Sequence, residues 1–271
     1  NNLLIELFVE ELPPKALKKL GDAFADTLLE QLRQLGLAQS TSQVTAFASP
    51  RRLAAHITAV LPQAADKALS QKLMPVSVGL DAQGQATPAL LKKLQALGVD
   101  VSNPSAAVVQ LKQADDGKAP ALFVESVMPG ATLAEGLQKA LNESLAKLPI
   151  PKVMQYQLES GCELPGWSSV SFVRPAHGLV ALYGEQVVPV QALGLQAGRT
   201  TQGHRFEAAV SPVTFKDADS YAPTLAFDGA VIASFAERKA EIARQLQAAA
   251  QTLGEGLQPI DDDALLDEVT A

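Results

Sequence analysis

The pattern of apolar and polar positions along the chain predicts its main elements. Residues 3–9, LLIELFV, form an apolar run with the look of a buried strand, followed by Glu10, Glu11, Pro13 and Pro14. Proline fits the first turn of a helix, where its missing N–H would be unpaired anyway, and the two glutamates are expected to face the positive helix end. Leu17, Leu20, Phe24, Leu28, Leu32 and Leu35 then recur at three- and four-residue steps, which predicts a helix with one buried face, stopped at Gly36. Two strands are expected at 43–48 and 53–61, joined through Ser49-Pro50-Arg51-Arg52.

Residues 62–118 are poorer in aromatics and richer in Gln, Ala, Lys and Asp, with a helix expected at 88–97; they read as an inserted or more mobile subdomain. Strands at 106–111 and 122–127 would flank the hairpin signal Asp115-Asp116-Gly117. A helix over 132–147 closes the first region, 1–150. A strand-rich region, 151–260, follows, with strands expected at 170–173, 179–183, 187–193 and 230–234, the polar loop GRTTQGHRF at 198–206, and a helix over 235–253 stopped by Gly254. The last stretch, 261–271, begins a helix at an aspartate cap. Its few residues are fewer than the roughly 12 an isolated helix needs, so it is expected to fray and to be cut from a longer chain. The irregular alternation of strands and helices predicts an α+β fold with mixed or antiparallel sheets and packed helices.

Composition narrows the function classes. At 271 residues and 47% hydrophobic, the chain can bury a real core, and its apolar runs are far shorter than the roughly 20 residues of a membrane-spanning helix. The single cysteine, Cys162, excludes an internal disulfide, and with His56, His177 and His204 it shows no metal-ligand spacing. Net charge is −7, so nucleic-acid binding would need a local basic surface.

Six phrases carry a resemblance: LLIELFVEELPPKALKKLGDAF at the start, ASPRRLA at 48–54, KLPIPK at 147–152, FVRPAHGLVALYG at 172–184, LGLQAGRTTQGHRF at 193–206 and ASFAERKAEI at 233–242. In this order, and with the closing LLDEVTA, they resemble the beta subunit of bacterial heterotetrameric glycyl-tRNA synthetase over essentially the whole chain. One departure is plain. Where the family usually continues after KLPIPK with Met-Arg-Trp-Gly, this chain has Val153-Met154-Gln155-Tyr156 and a longer stretch to Trp167.

The resemblance implies a cytoplasmic protein, a B3/B4-like module related to that of phenylalanyl-tRNA synthetase beta chains, and two partners, the alpha subunit and tRNA(Gly), with no membrane. It also implies that ATP and Mg are bound by the alpha subunit and that this region holds no cofactor and no catalytic residue of its own. Two other readings stay open, a tRNA-editing hydrolase module and a purely structural scaffold for the alpha subunit. No natural amino acid is smaller than glycine, which argues against editing.

Candidate tRNA contacts are Arg51, Arg52, Arg174, Arg199, Thr200, Thr201, His204 and Arg205. The G-x-x-x-x-G spacing of Gly198 to Gly203 is followed by His204 and Arg205 in place of Lys and Ser or Thr, so it reads as a tight loop and not as a nucleotide site. Its donors suit RNA phosphates and 2′-hydroxyls. Arg51 and Arg52 sit at a turn, placed to reach phosphate or to bridge Glu10 or Glu11. Arg174, His177 and the helix face of Lys15, Lys18 and Lys19 read first as structural or solvated groups.

Overall fold

A computed structural model describes residues 1–115, 119–158, 169–254 and 256–271. Asp116 and Gly117 of the hairpin signal, Cys162 and Trp167 lie outside the described residues. The chain divides into two compact units, one formed by Asn1–Ala64 with Ala131–Ala271 and the other by Ala65–Gly130.

The first unit opens with β1 (Leu3–Val9), α1 (Pro14–Gln34), β2 (Val44–Ser49) and β3 (Arg52–Ile57). The second unit holds β4 (Lys67–Pro75), α2 (Val76–Gly79), α3 (Pro88–Ala96), α4 (Pro104–Val109), β5 (Leu111–Asp115) and β6 (Pro120–Met128). The chain then returns to the first unit with α5 (Leu133–Lys147), β7 (Met154–Gln157), β8 (Ser169–Phe172) and β9 (Ala176–Tyr183). Five two-residue strands follow, β10 (Gln186–Val187), β11 (Gln191–Ala192), β12 (Leu195–Gln196), β13 (Thr200–Thr201) and β14 (Val213–Thr214). Three helices end it, α6 (Tyr221–Phe227), α7 (Phe235–Leu253) and α8 (Asp263–Thr270). Helices and antiparallel sheets together make the fold α+β.

The main sheet has the order β10-β9-β1-β3-β2, and every residue of β1 is buried. Both of its faces are covered, which is why apolar residues stand at odd and even positions alike. Leu3, Ile5, Leu7 and Val9 join Leu17, Leu20, Phe24 and Leu28 of α1 and Leu137 and Leu141 of α5 in the larger core. Leu4 points the other way, into a second core with Phe47, Val180, Leu182, Phe215, Tyr221 and Leu225. Glu6 shares that second face and is fully buried, a charged residue in the middle of the central strand.

Helix termini follow local chemistry. Thr132 caps α5 through a capping box with Glu135, and Ser234 caps α7 by accepting from Glu237 N. The expected strand at 106–111 is instead α4: Asn103 accepts from Ala106 N and Pro104 starts the helix, so cap chemistry outweighs the Val108-Val109 pair, and β5 begins only at Leu111. Residues 230–234 form no strand either, because they run directly into the Ser234 cap. The expected strand at 187–193 is broken at Pro189 into β10 and β11, and Leu193 (φ 52°) and Gly194 (φ 80°) turn the chain into β12.

The final segment is held rather than frayed. Lys239 Nζ bonds Asp263 and Asp267 of α8, Arg238 Nε donates to the Thr270 carbonyl, and Thr270 is buried. Tertiary contacts supply what an eight-residue helix lacks.

On the other side of the sheet, Asp219 accepts from Asn2 Nδ2 at 2.7 Å and lies 2.7 Å from His56 Nε2. The Asn2 bond, and after it His56, holds the Asp219 carboxyl below its ordinary range against the opposing effect of partial burial. A lowered carboxylate pKa gives stability that is present above the ordinary aspartate range and lost as pH falls through the lowered value. Asp219→Asn should therefore lose less of its Tm than the parent between about pH 5 and about pH 2.5, measured by circular dichroism. Equal losses would show that the carboxylate is unlinked to folding.

Candidate nucleic-acid interface

The end of β1 gathers most of the candidate residues. Beyond Val9 the chain leaves the sheet, and the β2–β3 turn brings Arg51 and Arg52 over the Phe8 ring, with guanidinium carbons 4.8 and 5.4 Å from its centroid. From there the two arginines diverge.

Arg51 is half-buried and stays at the surface. Its Nε donates to the Val9 carbonyl at 3.3 Å and Nη2 to Glu10 Oε1 at 3.4 Å. Glu10 also lies 2.9 Å from His177 Nε2, so it serves Arg51 and His177 and not the start of α1, whose first turn has no acid.

Arg52 turns inward and is 2% exposed, which removes it as an RNA contact. Adjacent residues of a strand face opposite ways, and Arg52, directly opposite Phe8 of β1, lies on the Glu6 side of the sheet. Its Nε lies 3.3 Å from Glu6 Oε2, an ion pair by distance that is not aligned as a hydrogen bond. Nη1 donates to Ser49 Oγ at 3.5 Å and Nη2 to the Gln202 carbonyl. Tyr221 Oη donates to Glu6 Oε2 at 2.5 Å, and burial together with the Glu6 carboxylate pushes the tyrosine pKa well up, so it stays a donor. Glu6 Oε1, Arg52 Nε and Thr201 Oγ1 have no hydrogen-bond partner among the described residues. Arg238 of α7 extends the network, donating to the carbonyls of Ala48, Ile232 and Thr270. Burial, and then the nearby Arg52, pull its pKa to about 10, which leaves it charged at neutral pH.

The loop after β13 is fastened at several points. Arg52 holds the Gln202 carbonyl, His204 N donates to the Gly229 carbonyl at 2.6 Å, and His204 Nδ1 accepts from the backbone N–H of Phe206 and Glu207. Gly203 is needed where it stands, since a Cβ there would come within 2.7 Å of Gly229 backbone atoms. The fastened backbone presents Arg205 outward, exposed and with neither hydrogen bond nor ion pair among the described residues.

Arg51, His204 and Arg205 meet around one hollow of about 330 Å3, with Phe8 and Gln202 in its wall. A second hollow of about 320 Å3 shares Phe8 and Gln202 and adds His177, Thr200 and Thr201. Thr200 is exposed there, whereas Thr201 is buried beside β9.

Arg199 and Arg174 belong elsewhere. Arg199 donates to the carbonyls of Glu185 at 2.8 Å and Lys216 at 3.4 Å, a bracket between two loops. Arg174 donates to the Glu11 and Val173 carbonyls, both at 2.9 Å. Among the described residues no three His, Cys, Asp or Glu side chains converge as metal ligands, and no helix is long and apolar enough to cross a membrane.

Comparison with known proteins decides which family this surface belongs to. The family described as glycyl-tRNA synthetase beta subunit matches residues 3–271. The chain belongs to that family. Glycine–tRNA ligase beta subunits of Polaromonas naphthalenivorans (strain CJ2) and Paracidovorax citrulli (strain AAC00-1) are 74% and 72% identical to it over 270 and 271 residues. That of Dechloromonas aromatica (strain RCB) is 65% identical over 274. In each case the whole chain is matched, and it spans 38% of the relative's length. In this member of the glycyl-tRNA synthetase beta subunit family, the buried Glu6–Arg52–Tyr221 network lies beside the hollow.

Sequence reasoning missed Phe8, Gln202 and Tyr221. A usable signal was Glu6, since a lone carboxylate inside a seven-residue apolar strand needs a buried partner.

Proposed function

We propose that this region supports ATP-dependent ligation of glycine to tRNA(Gly) by binding tRNA and by assembling with the alpha subunit, which holds ATP, Mg and glycine. The observation that carries the reading is the convergence of Arg51, His204 and Arg205 on one hollow, with Arg205 unpaired among the described residues. In a chain of net charge −7, such a point is where a polyanion can approach. Phosphate contact here positions RNA and carries no sequence preference.

The test is Arg51→Ala with Arg205→Ala in the assembled enzyme. Each phosphate contact contributes roughly 0.7–0.9 to the log–log salt slope of binding, so the double variant should bind tRNA more weakly with a slope lower by about 1.4–1.8. Glycine activation without tRNA should stay near the parent's. An unchanged salt series in a variant of intact Tm favours the scaffold reading. Arg199→Ala is a poor probe, because its two carbonyl bonds tie loops together.

A second expectation concerns chemistry. The chain alone, free of alpha subunit, should not exchange pyrophosphate into ATP in the presence of glycine. Glycine-dependent exchange by the purified chain would move the activation site onto this polypeptide.

A further inference from the structure

An exposed apolar surface lies far along α7. This 19-residue helix buries only Phe235, at its root. Ile242, Leu246, Ala250 and Leu253 follow at steps of three and four, a helical stripe of the kind that packs against a neighbour. Among the described residues, α8 and the connector before it line the groove along that stripe. Between them runs an apolar groove of about 430 Å3 lined by Ile242, Leu246, Ile260, Leu265, Leu266 and Val269. Ile260 is 94% exposed and Leu253 80%. Apolar side chains in such a concentration mark an interaction surface.

We infer that this groove is the seat of an amphipathic helix from the part of the same polypeptide lying outside these 271 residues. Two observations choose that occupant. The matched relatives are more than twice as long as this chain, and a segment carried on the same polypeptide through a short linker competes for the groove at an effective concentration of about millimolar order. The groove is also one-sided in charge: Asp261, Asp262, Asp263, Asp267 and Glu268 crowd the α8 side, with Lys239 pairing two of them. The occupant therefore carries an apolar stripe flanked by Lys or Arg on its α8 side, in the helix-in-groove mode.

The experiment compares hydrogen exchange of α7 amides over 242–253 in the natural full-length polypeptide, without alpha subunit, and in the 271-residue chain. Protection in the full-length polypeptide should be at least tenfold greater. Leu246→Glu and Leu265→Glu, both at exposed positions, should each return it to the level of the shorter chain while the exchange of α1 stays unchanged, which shows that the first unit is still folded. Equal exchange in the two polypeptides overturns the inference. So does protection that appears only when alpha subunit is added, which assigns the groove to that subunit. Protection that rises with concentration of the 271-residue chain overturns it as well, in favour of a second copy.

Discussion

Arg52→Ala is expected to lower the free energy of unfolding by about 3–5 kcal/mol, the range for breaking a buried ion pair from one side. Among the described residues the guanidinium is the only cation paired with Glu6, and Glu6 is fully buried with one oxygen already unpartnered there. Tyr221 supplies a single hydrogen bond, too little to hold a carboxylate out of water. The variant also frees the Gln202 carbonyl and Ser49 Oγ. A double variant, Glu6→Gln with Arg52→Met, should recover most of the loss, since the pair as a whole gives little net stability. Urea unfolding with a constant m-value separates the cases. A loss under about 1 kcal/mol for Arg52→Ala would mean that the pair is not what holds this face of the sheet.

The same arginine links stability to the proposed RNA surface. Gln202 begins the loop that carries His204 and Arg205, so the loop rests on a bond from beneath the sheet. In a stabilised background, Arg52→Ala should weaken tRNA binding without changing the number of charges exposed to it.

Gly21→Ala tests the helix layer, where two effects oppose each other. Alanine in a helix interior is favoured over glycine by about 1 kcal/mol. The new Cβ, however, would lie 2.6 Å from the Ala48 Cβ of β2. Ala48 is buried and has no torsion with which to step aside, so α1 must lift from the sheet, and overpacking of this kind costs about 1–3 kcal/mol. Net destabilisation is expected, by up to about 2 kcal/mol, with loosened packing of the core residues Phe24 and Leu17. A rise in Tm would show that the α1–β2 contact yields freely. Gly136 offers a contrast, because its nearest neighbour is the Leu37 Cδ1 methyl, the end of a side chain that can rotate.

Periodicity made the layer around α1 and β1 legible, since the three- and four-residue steps from Leu17 to Leu32 and the run from Leu3 to Val9 each bury a full face. The Gly254 stop made the end of α7 legible for an equally local reason. What was not legible depended on long-range pairing. Tyr221 lies in a seven-residue helix too short for a periodic signal, and its role arises 215 residues away at Glu6. The inward turn of Arg52 follows from strand register, which neighbouring residues do not encode. The -RR- pair therefore looked like two equivalent surface cations, and packing made one of them a core residue. Asn103-Pro104, by contrast, is a helix start written in the local sequence, beside the β-branched pair Val108-Val109 that favours a strand.

The position of β1 bears on how the chain folds. Its two neighbours arrive at very different times, β3 some fifty residues later and β9 only after Ala176, so the central strand keeps one edge open until most of the chain exists. Between those events the 65–130 unit can form from its own hairpin and helices, with no waiting on the sheet. Ala64 N donates to the Ala131 carbonyl at 3.0 Å, so the flanks of that unit meet in the finished first unit. Closure entropy grows only with the logarithm of loop length, about 0.6 kcal/mol per doubling, and the β1–β9 loop is already long without the extra unit. Carrying 66 more residues inside it therefore slows the last pairing step very little.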